Sequence, residues 1–199
     1  MIANILINYM PYALVTNFTP GPSNILALNA AKSYGINNSK KILFGICTGF
    51  TCVMALSGGI CLSLKTLGNM FQEIMKYIGL IYFLWLAWHI LQSKPTDTNQ
   101  KTKANNSFWL GFITQFFNIK VLLYGNISLS VYILPYTDSL IVVIMFIALM
   151  SILGSIAAIT WALVGNAFQR FLNRNYKIVN LIMSLILIKC GIDLVIKNF

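Results

Sequence analysis

Residues 14–28 read LVTNFTPGPSNILAL and place a proline-glycine-proline sequence inside a long apolar run. Pro20 and Pro22 lack the backbone N–H that a helix needs, and Gly21 adopts almost any backbone conformation. We therefore expect a helix to stop near Phe18 and another to start beyond Pro22. Within a bilayer such a break is tolerated only where protein buries it or a water-filled cavity reaches it.

The composition around this break is that of a membrane protein. Of the 199 residues, 58% are hydrophobic and 9% are charged, whereas a soluble domain carries roughly 25% charged residues. The mean hydropathy is +0.76. So few ionised side chains cannot cover a water-facing surface, so hydrocarbon is the expected main solvent and membrane lipid an expected partner. The net charge of +10 is then a topology signal and not a sign of nucleic-acid binding.

The chain is predicted to be an all-α integral membrane protein with about six transmembrane helices. Apolar stretches long enough for about 30 Å of hydrocarbon lie at residues 5–31, 42–64, 71–92, 108–134, 139–165 and 176–196. The only polar linker is residues 93–107. It divides the chain into a first three-helix half, residues 1–92, and a second, residues 108–199.

The first and fourth segments are both interrupted. The fourth contains Asn118-Ile119-Lys120, and each interrupted segment opens one half of the chain. Interrupted segments at matching positions of two halves point to a transporter binding site at the interface of an inverted repeat. Because each half has three segments, the second half would be inserted upside down. Whether residues 108–120 form a re-entrant segment or part of a spanning helix stays open.

The interruptions supply the candidate substrate-binding residues. A half-helix that restarts at a proline directs free N–H groups and its positive dipole end toward the break, where a carboxylate is the natural ligand. Lys120 is costly in an apolar segment unless it pairs or reaches water, and Asn118 offers both a donor and an acceptor. A plain proline kink and an interfacial anchoring lysine are the alternatives. The predicted site comprises Pro20, Gly21, Pro22, Asn24, Asn118 and Lys120.

Small residues predict close helix packing. Gly45 and Gly49 form a G-x-x-x-G motif, and Gly154, Ala158 and Ala162 repeat at the same spacing. Such stripes let helices approach closely. They fit packing within the chain, and the first motif also leaves a homodimer open.

The basic residues predict the orientation. Nine Lys and Arg residues lie in the odd-numbered connections between segments, against three on the other side. The positive-inside rule then places both termini outside the cytoplasm. Asp138, in a short outer turn, is expected to be a helix N-cap.

The sequence gives little support for the chemistry of a soluble enzyme. The four acidic residues and one histidine are scattered, so we expect no catalytic residues, no metal site and no cofactor. The chain lacks a phosphate-binding loop, so transport would have to draw on an ion or substrate gradient or on a partner. An enzyme or a non-transporting membrane protein remains the alternative from another class, and the coupling ion stays open.

The motif Asn17-Phe18-Thr19-Pro20-Gly21-Pro22-Ser23-Asn24 resembles that of the LysE/RhtB family of amino-acid exporters. Phe116 to Lys120 and Leu123-Tyr124-Gly125 resemble the branch that exports cysteine and O-acetylserine. Much of the family has a proline where this chain has Ile119, which weakens the expectation of a sharp second break. The resemblance implies a secondary transporter in the bacterial inner membrane that exports a small zwitterionic amino acid. Other neutral amino acids such as threonine or homoserine, and a passive channel, remain alternatives.

Overall fold

Helices account for every regular element that the structure describes. The structure is a computed structural model, and it describes residues 2–64, 69–92 and 107–196. The helices are α1 (Ile2–Phe18), α2 (Pro22–Tyr34), α3 (Lys40–Leu64), α4 (Asn69–Gln92), α5 (Phe108–Phe116), α6 (Ile119–Ile127), α7 (Leu140–Arg174) and α8 (Tyr176–Ile196), with a π-helical segment (Ser128–Ile133) continuing α6. The predicted linker lies outside the described residues except for Ser107, the N-cap residue of α5.

Several features of these helices fit a membrane. Lys40–Leu64 and Leu140–Val164 are each long and apolar enough to cross a bilayer, and α5 together with α6 and the π segment forms a third, bent candidate. Large apolar side chains such as Ile7, Phe44 and Ile81 are more than 60% exposed. A surface of this kind suits lipid and not water. The count of six spans stays a prediction for the remaining helices.

Both predicted interruptions are present. The first separates α1 from α2, with α1 ending at Phe18 as expected and α2 beginning at Pro22 itself. The second lies at Phe117 and Asn118, where the axes of α5 and of the continuous α6 and π segment differ by 57°. The second break is therefore sharp although Ile119 stands in place of a proline.

Helices at corresponding positions of the two halves make corresponding contacts. Helix α3 contacts both parts of the second broken segment, α5 and α6, while α7 contacts both parts of the first, α1 and α2. Helices α3 and α7 contact each other, as do α4 and α8. This is the pattern that an inverted repeat would produce, with the two broken segments between their neighbours.

The G-x-x-x-G motif is used within the chain. A Cβ atom at Gly45 would lie 2.1 Å from the carbonyl oxygen of Phe108, and one at Gly49 would lie 2.6 Å from that of Phe112. From the other side, a Cβ at Gly111 would lie 2.3 Å from the carbonyl oxygen of Ile42. Helices α3 and α5 thus touch through their backbones, and the motif offers no free face for a homodimer.

One expectation about the outer turn needs correction. Ser139, not Asp138, occupies the N-cap position of α7, and the Thr137 hydroxyl accepts the Ser139 N–H at 3.1 Å. The apolar run predicted at residues 139–165 is confirmed by the span candidate Leu140–Val164, and the helix itself continues to Arg174. The end of an apolar run marks the expected edge of the membrane, but it does not by itself stop a helix.

Candidate functional site

The break between α1 and α2 is built by local backbone chemistry. The N–H of Thr19 still bonds to Val15 at 2.9 Å, and the chain then unwinds through Pro20. Gly21 is the N-cap of α2 with an extended backbone (φ −160°, ψ 170°), and Pro22 is the first helical residue. No side chain caps this helix, so the first N–H groups of α2, those of Ser23 and Asn24, face the break without one.

Side chains satisfy the carbonyl groups that the break releases. The Asn24 amide donates to the carbonyl oxygens of Asn17 at 2.8 Å and Thr19 at 3.0 Å. The Trp161 indole of α7 donates to the Phe18 carbonyl at 3.3 Å. Unpaired carbonyls would be costly at this depth, so these bonds hold the break open.

The side chain of Lys120 extends from the second break to the first. It lies in the first turn of α6, and its ammonium donates to the Thr19 carbonyl oxygen at 2.8 Å. A Cβ at Gly21 would lie 3.1 Å from Lys120 Cδ and 3.2 Å from Nζ. The absence of a side chain at Gly21 therefore makes room for the lysine beside the N-terminus of α2. The Lys120 ammonium and the positive end of the α2 dipole therefore lie side by side and together create a positive potential.

A buried polar network joins the two breaks. The Asn118 amide donates to the Ser23 hydroxyl at 2.7 Å, and that hydroxyl donates to Gln115 Oε1 at 2.8 Å. Asn118 Oδ1 also accepts the Lys120 N–H at 3.1 Å, which makes Asn118 the side-chain cap of α6. Asn118 thus caps the start of α6 and bonds to Ser23 of α2, which in turn bonds to Gln115 of α5.

A small cavity lies at this junction. Its volume is about 30 Å³, room for little more than water and far below the roughly 300–1,000 Å³ of a typical ligand pocket. Residues from five helices line it: Thr16, Asn17, Gly21, Ser23, Asn24, Ile46, Phe50, Asn118, Lys120, Val121, Tyr124, Gly154 and Ala158. This lining contains no carboxylate, so the only charged side chain at the cavity is Lys120.

Lys120 also borders a second, larger cavity. This one has a volume of about 550 Å³ and opens on the outer surface of the bundle beside α5. Its wall is mainly apolar, with Trp109, Ile113 and Phe117 strongly exposed. Such a lining suits lipid more than a zwitterion, so the small polar cavity is the better candidate for substrate.

The structure brings most predicted site residues together. Gly21, Asn118 and Lys120 meet around the small cavity. Asn24 also lines it, but its amide donors are used by the carbonyls of the break. Pro22 borders the large cavity. Pro20 is exposed and lines neither of the two.

Sequence reasoning missed several residues of this site. Ser23 and Gln115 link the breaks, while Thr16 and Tyr124 line the cavity from the side that leads to the chain termini. Gln115 carried a usable signal, because a polar amide inside an apolar segment needs a buried partner. Among the described residues, no group of three or more His, Cys, Asp or Glu side chains is placed to hold a metal ion.

Comparison with known proteins gives a consistent result. The model of the LysE type translocator family matches residues 14–198. Relatives named cysteine/O-acetylserine efflux protein include those of Salmonella typhimurium, 38% identical, and Escherichia coli O157:H7, 36% identical, each over 192 residues. Both alignments cover 96% of this chain and 98% of the relative. No solved structure matches the chain.

Proposed function

Because the chain belongs to the LysE type translocator family, we propose that it exports a small zwitterionic amino acid from the cytoplasm. It is a multi-pass protein of the bacterial inner membrane, and its family is one of transporters and not of enzymes. The names of its relatives favour cysteine, O-acetylserine or both as the substrate. Threonine-like or homoserine-like amino acids are the alternative.

The observation that carries the proposal is the bond from Lys120 to the Thr19 carbonyl oxygen at 2.8 Å. It places an ammonium group beside the uncapped N-terminus of α2, where negative charge is stabilised. A substrate carboxylate that enters the break would accept hydrogen bonds from Lys120 and from the N–H groups of Ser23 and Asn24. The carboxylate would then replace the Thr19 carbonyl as the partner of the lysine.

The rest of the cavity favours a substrate without a charged side chain. With no Asp or Glu in the lining, a cationic side chain such as that of lysine would have no counter-charge. The substrate ammonium group would face the Thr16 hydroxyl, the Asn17 amide and the ring of Tyr124, all of which line the cavity. Hydrogen bonding and cation–π attraction are adequate for one ammonium group.

The small size of the cavity supports transport by alternating access. At about 30 Å³ it is too small for an amino acid, so the site must expand to admit one. We propose that α1 and α2 move against α5 and α6, with the two halves acting as an inverted repeat. A passive channel would instead need a continuous opening, and the tight contacts around the cavity disfavour it.

Orientation and partners complete the proposal. The distribution of basic residues supports a periplasmic location for both termini. Lipid would occupy the exposed apolar faces, including the large cavity beside α5. A homodimer would have to use a face other than the G-x-x-x-G motif, because α5 covers that motif.

Counterflow with purified protein tests the function. Proteoliposomes preloaded with unlabelled amino acid should accumulate labelled cysteine and O-acetylserine, threonine less, and lysine not at all. Export against a concentration gradient is then measured with and without a proton gradient. A secondary transporter can use the proton gradient to drive such export, whereas a channel cannot. A protein that exchanges none of these amino acids would refute the proposal.

A further inference from the structure

An unusual set of buried hydroxyl groups lies on one side of the small cavity. In the part of the chain that the structure describes, the buried side-chain polar atoms without a hydrogen-bond partner are all hydroxyls, those of Tyr12, Thr16, Tyr82, Ser128 and Tyr132. Buried polar groups nearly always have partners in folded proteins, and each exception calls for a physical explanation.

Four of these hydroxyls, with Tyr124, form two facing stripes. On α1, Tyr12 and Thr16 are one turn apart, and on α6 and the π segment Tyr124, Ser128 and Tyr132 repeat every four residues. We call these five residues the hydroxyl pathway. It begins at the small cavity, which Thr16 and Tyr124 line, and it runs toward the N-terminal end of α1.

Ring contacts make the pathway continuous and closed. The ring of Tyr12 lies 5.7 Å from that of Tyr124 and 5.5 Å from that of Tyr132, measured between centroids. Tyr9 joins them through a hydrogen bond between its hydroxyl and that of Tyr124. Tyr9 and Tyr12 are fully buried and Tyr124 is 1% exposed, so no opening passes between the rings.

The π segment adds a second, independent observation. All six residues from Ser128 to Ile133 are buried, and the Leu134 N–H bonds back five residues to the Leu129 carbonyl at 2.8 Å. π-Helical turns are rare and frequently occur at functional sites. This one carries two members of the hydroxyl pathway, so a change in its winding would alter how Tyr132 faces Tyr12.

We infer that the hydroxyl pathway is the exit route of the transported amino acid, closed in this structure by the packed rings of Tyr12 and Tyr132. The inference rests on the proposed function and deepens it. When the route opens, its hydroxyls bond to water and to the passing zwitterion. The hydroxyls of Tyr12 and Thr16 have no protein partner in the closed state, which keeps that state from being too stable, so the closed and open forms stay close in free energy.

The first test replaces one hydroxyl and keeps the ring. Tyr12→Phe removes an unpartnered buried group, so the closed state gains stability relative to the open one. We expect the thermal stability of the purified protein to be unchanged or higher while counterflow of O-acetylserine slows by about tenfold. Tyr77→Phe is the matched control, because Tyr77 is 53% exposed and lies outside the pathway.

Three results of this test would count against the exit route. Unchanged transport in Tyr12→Phe overturns the exit route. A loss of stability also overturns it, because it means that the Tyr12 hydroxyl is held by a partner in the closed state. Slower transport in Tyr77→Phe as well would trace the effect to the loss of any tyrosine hydroxyl and likewise count against the route.

A second test does not depend on transport. Ser128→Cys in oriented vesicles is treated with a membrane-impermeant thiol reagent from the side that carries the N-terminus, and the unmodified protein supplies the background from the native cysteines. The route predicts labelling from that side only, faster when O-acetylserine drives turnover. Cysteine itself is unsuitable here because it consumes the reagent. Absence of labelling overturns the route even if counterflow establishes export, whereas labelling without export would count against the proposed function alone.

Discussion

Replacing Lys120 with methionine should separate the stability of the protein from its function. Methionine has a similar length and is apolar, so Lys120→Met removes the charge and keeps most of the packing. The Thr19 carbonyl loses the lysine at 2.8 Å but keeps the Asn24 amide at 3.0 Å. No buried carbonyl is therefore left without a partner.

The expected change in stability is small and favourable. A lysine in the middle of a membrane segment costs about 2.5–3.5 kcal/mol. Its hydrogen bond to a carbonyl recovers about 1.5–3 kcal/mol of this. Lys120→Met should thus raise the free energy of unfolding by about 0–2 kcal/mol. Thermal denaturation of the detergent-purified protein measures the change.

Transport should respond in the opposite direction. Losing one member of a buried charge pair costs about 2–5 kcal/mol, which corresponds to a roughly 30-fold or greater loss of affinity for a carboxylate. Counterflow of O-acetylserine at low concentration reports this loss. Lys189→Met makes the same chemical change at an exposed position of α8 and should leave counterflow unchanged.

Two results would refute this reasoning. Normal counterflow in Lys120→Met would remove the lysine from substrate binding. A strongly destabilised Lys120→Met protein would mean that the lysine is mainly structural, acting as a link between the two breaks.

Three further predictions concern the architecture of the site. Gly45→Ala should prevent stable folding, because its Cβ meets backbone of α5 at 2.1 Å, whereas Gly59→Ala should be tolerated because nothing lies within 4 Å of the added atom; the yield of monodisperse protein distinguishes them. Asn24→Ala should lower stability by about 1–3 kcal/mol, because the Asn17 carbonyl loses its hydrogen bond from the Asn24 amide; an unchanged melting temperature would contradict this. Reporter fusions at either terminus should report the periplasm, and a cytoplasmic signal from either would refute the orientation.

The sequence predicted the first break because local chemistry dictates structure there. Two prolines around Gly21 must interrupt a helix, and the structure places the break there. Lys120 was identifiable because an ionised group in an apolar segment requires a partner, although the partner itself, a carbonyl in the other half of the chain, depends on tertiary packing.

Other features depend on contacts that one sequence does not reveal. The second break was underestimated because Ile119 is not a proline, yet the side chain of Asn118 caps α6 directly after α5 has ended. Asn24 was expected to bind the substrate, but its amide donates instead to the carbonyl oxygens that the first break releases. The tyrosines of α1 and α6 were not identified from the sequence as polar residues of the site, because aromatic rings are typical of a hydrophobic core.

Binding of the substrate carboxylate is tested most directly by removing that group from the ligand. Unlabelled L-cysteine and its amide, which lacks the carboxylate, are compared as competitors of labelled O-acetylserine counterflow in proteoliposomes. If Lys120 and the N-terminus of α2 hold the carboxylate, cysteine competes and the amide competes at least about 30-fold more weakly; in Lys120→Met this difference becomes smaller, because only the N-terminus of α2 is left to bind the carboxylate. Equal competition by cysteine and its amide in the unmodified protein would contradict the account.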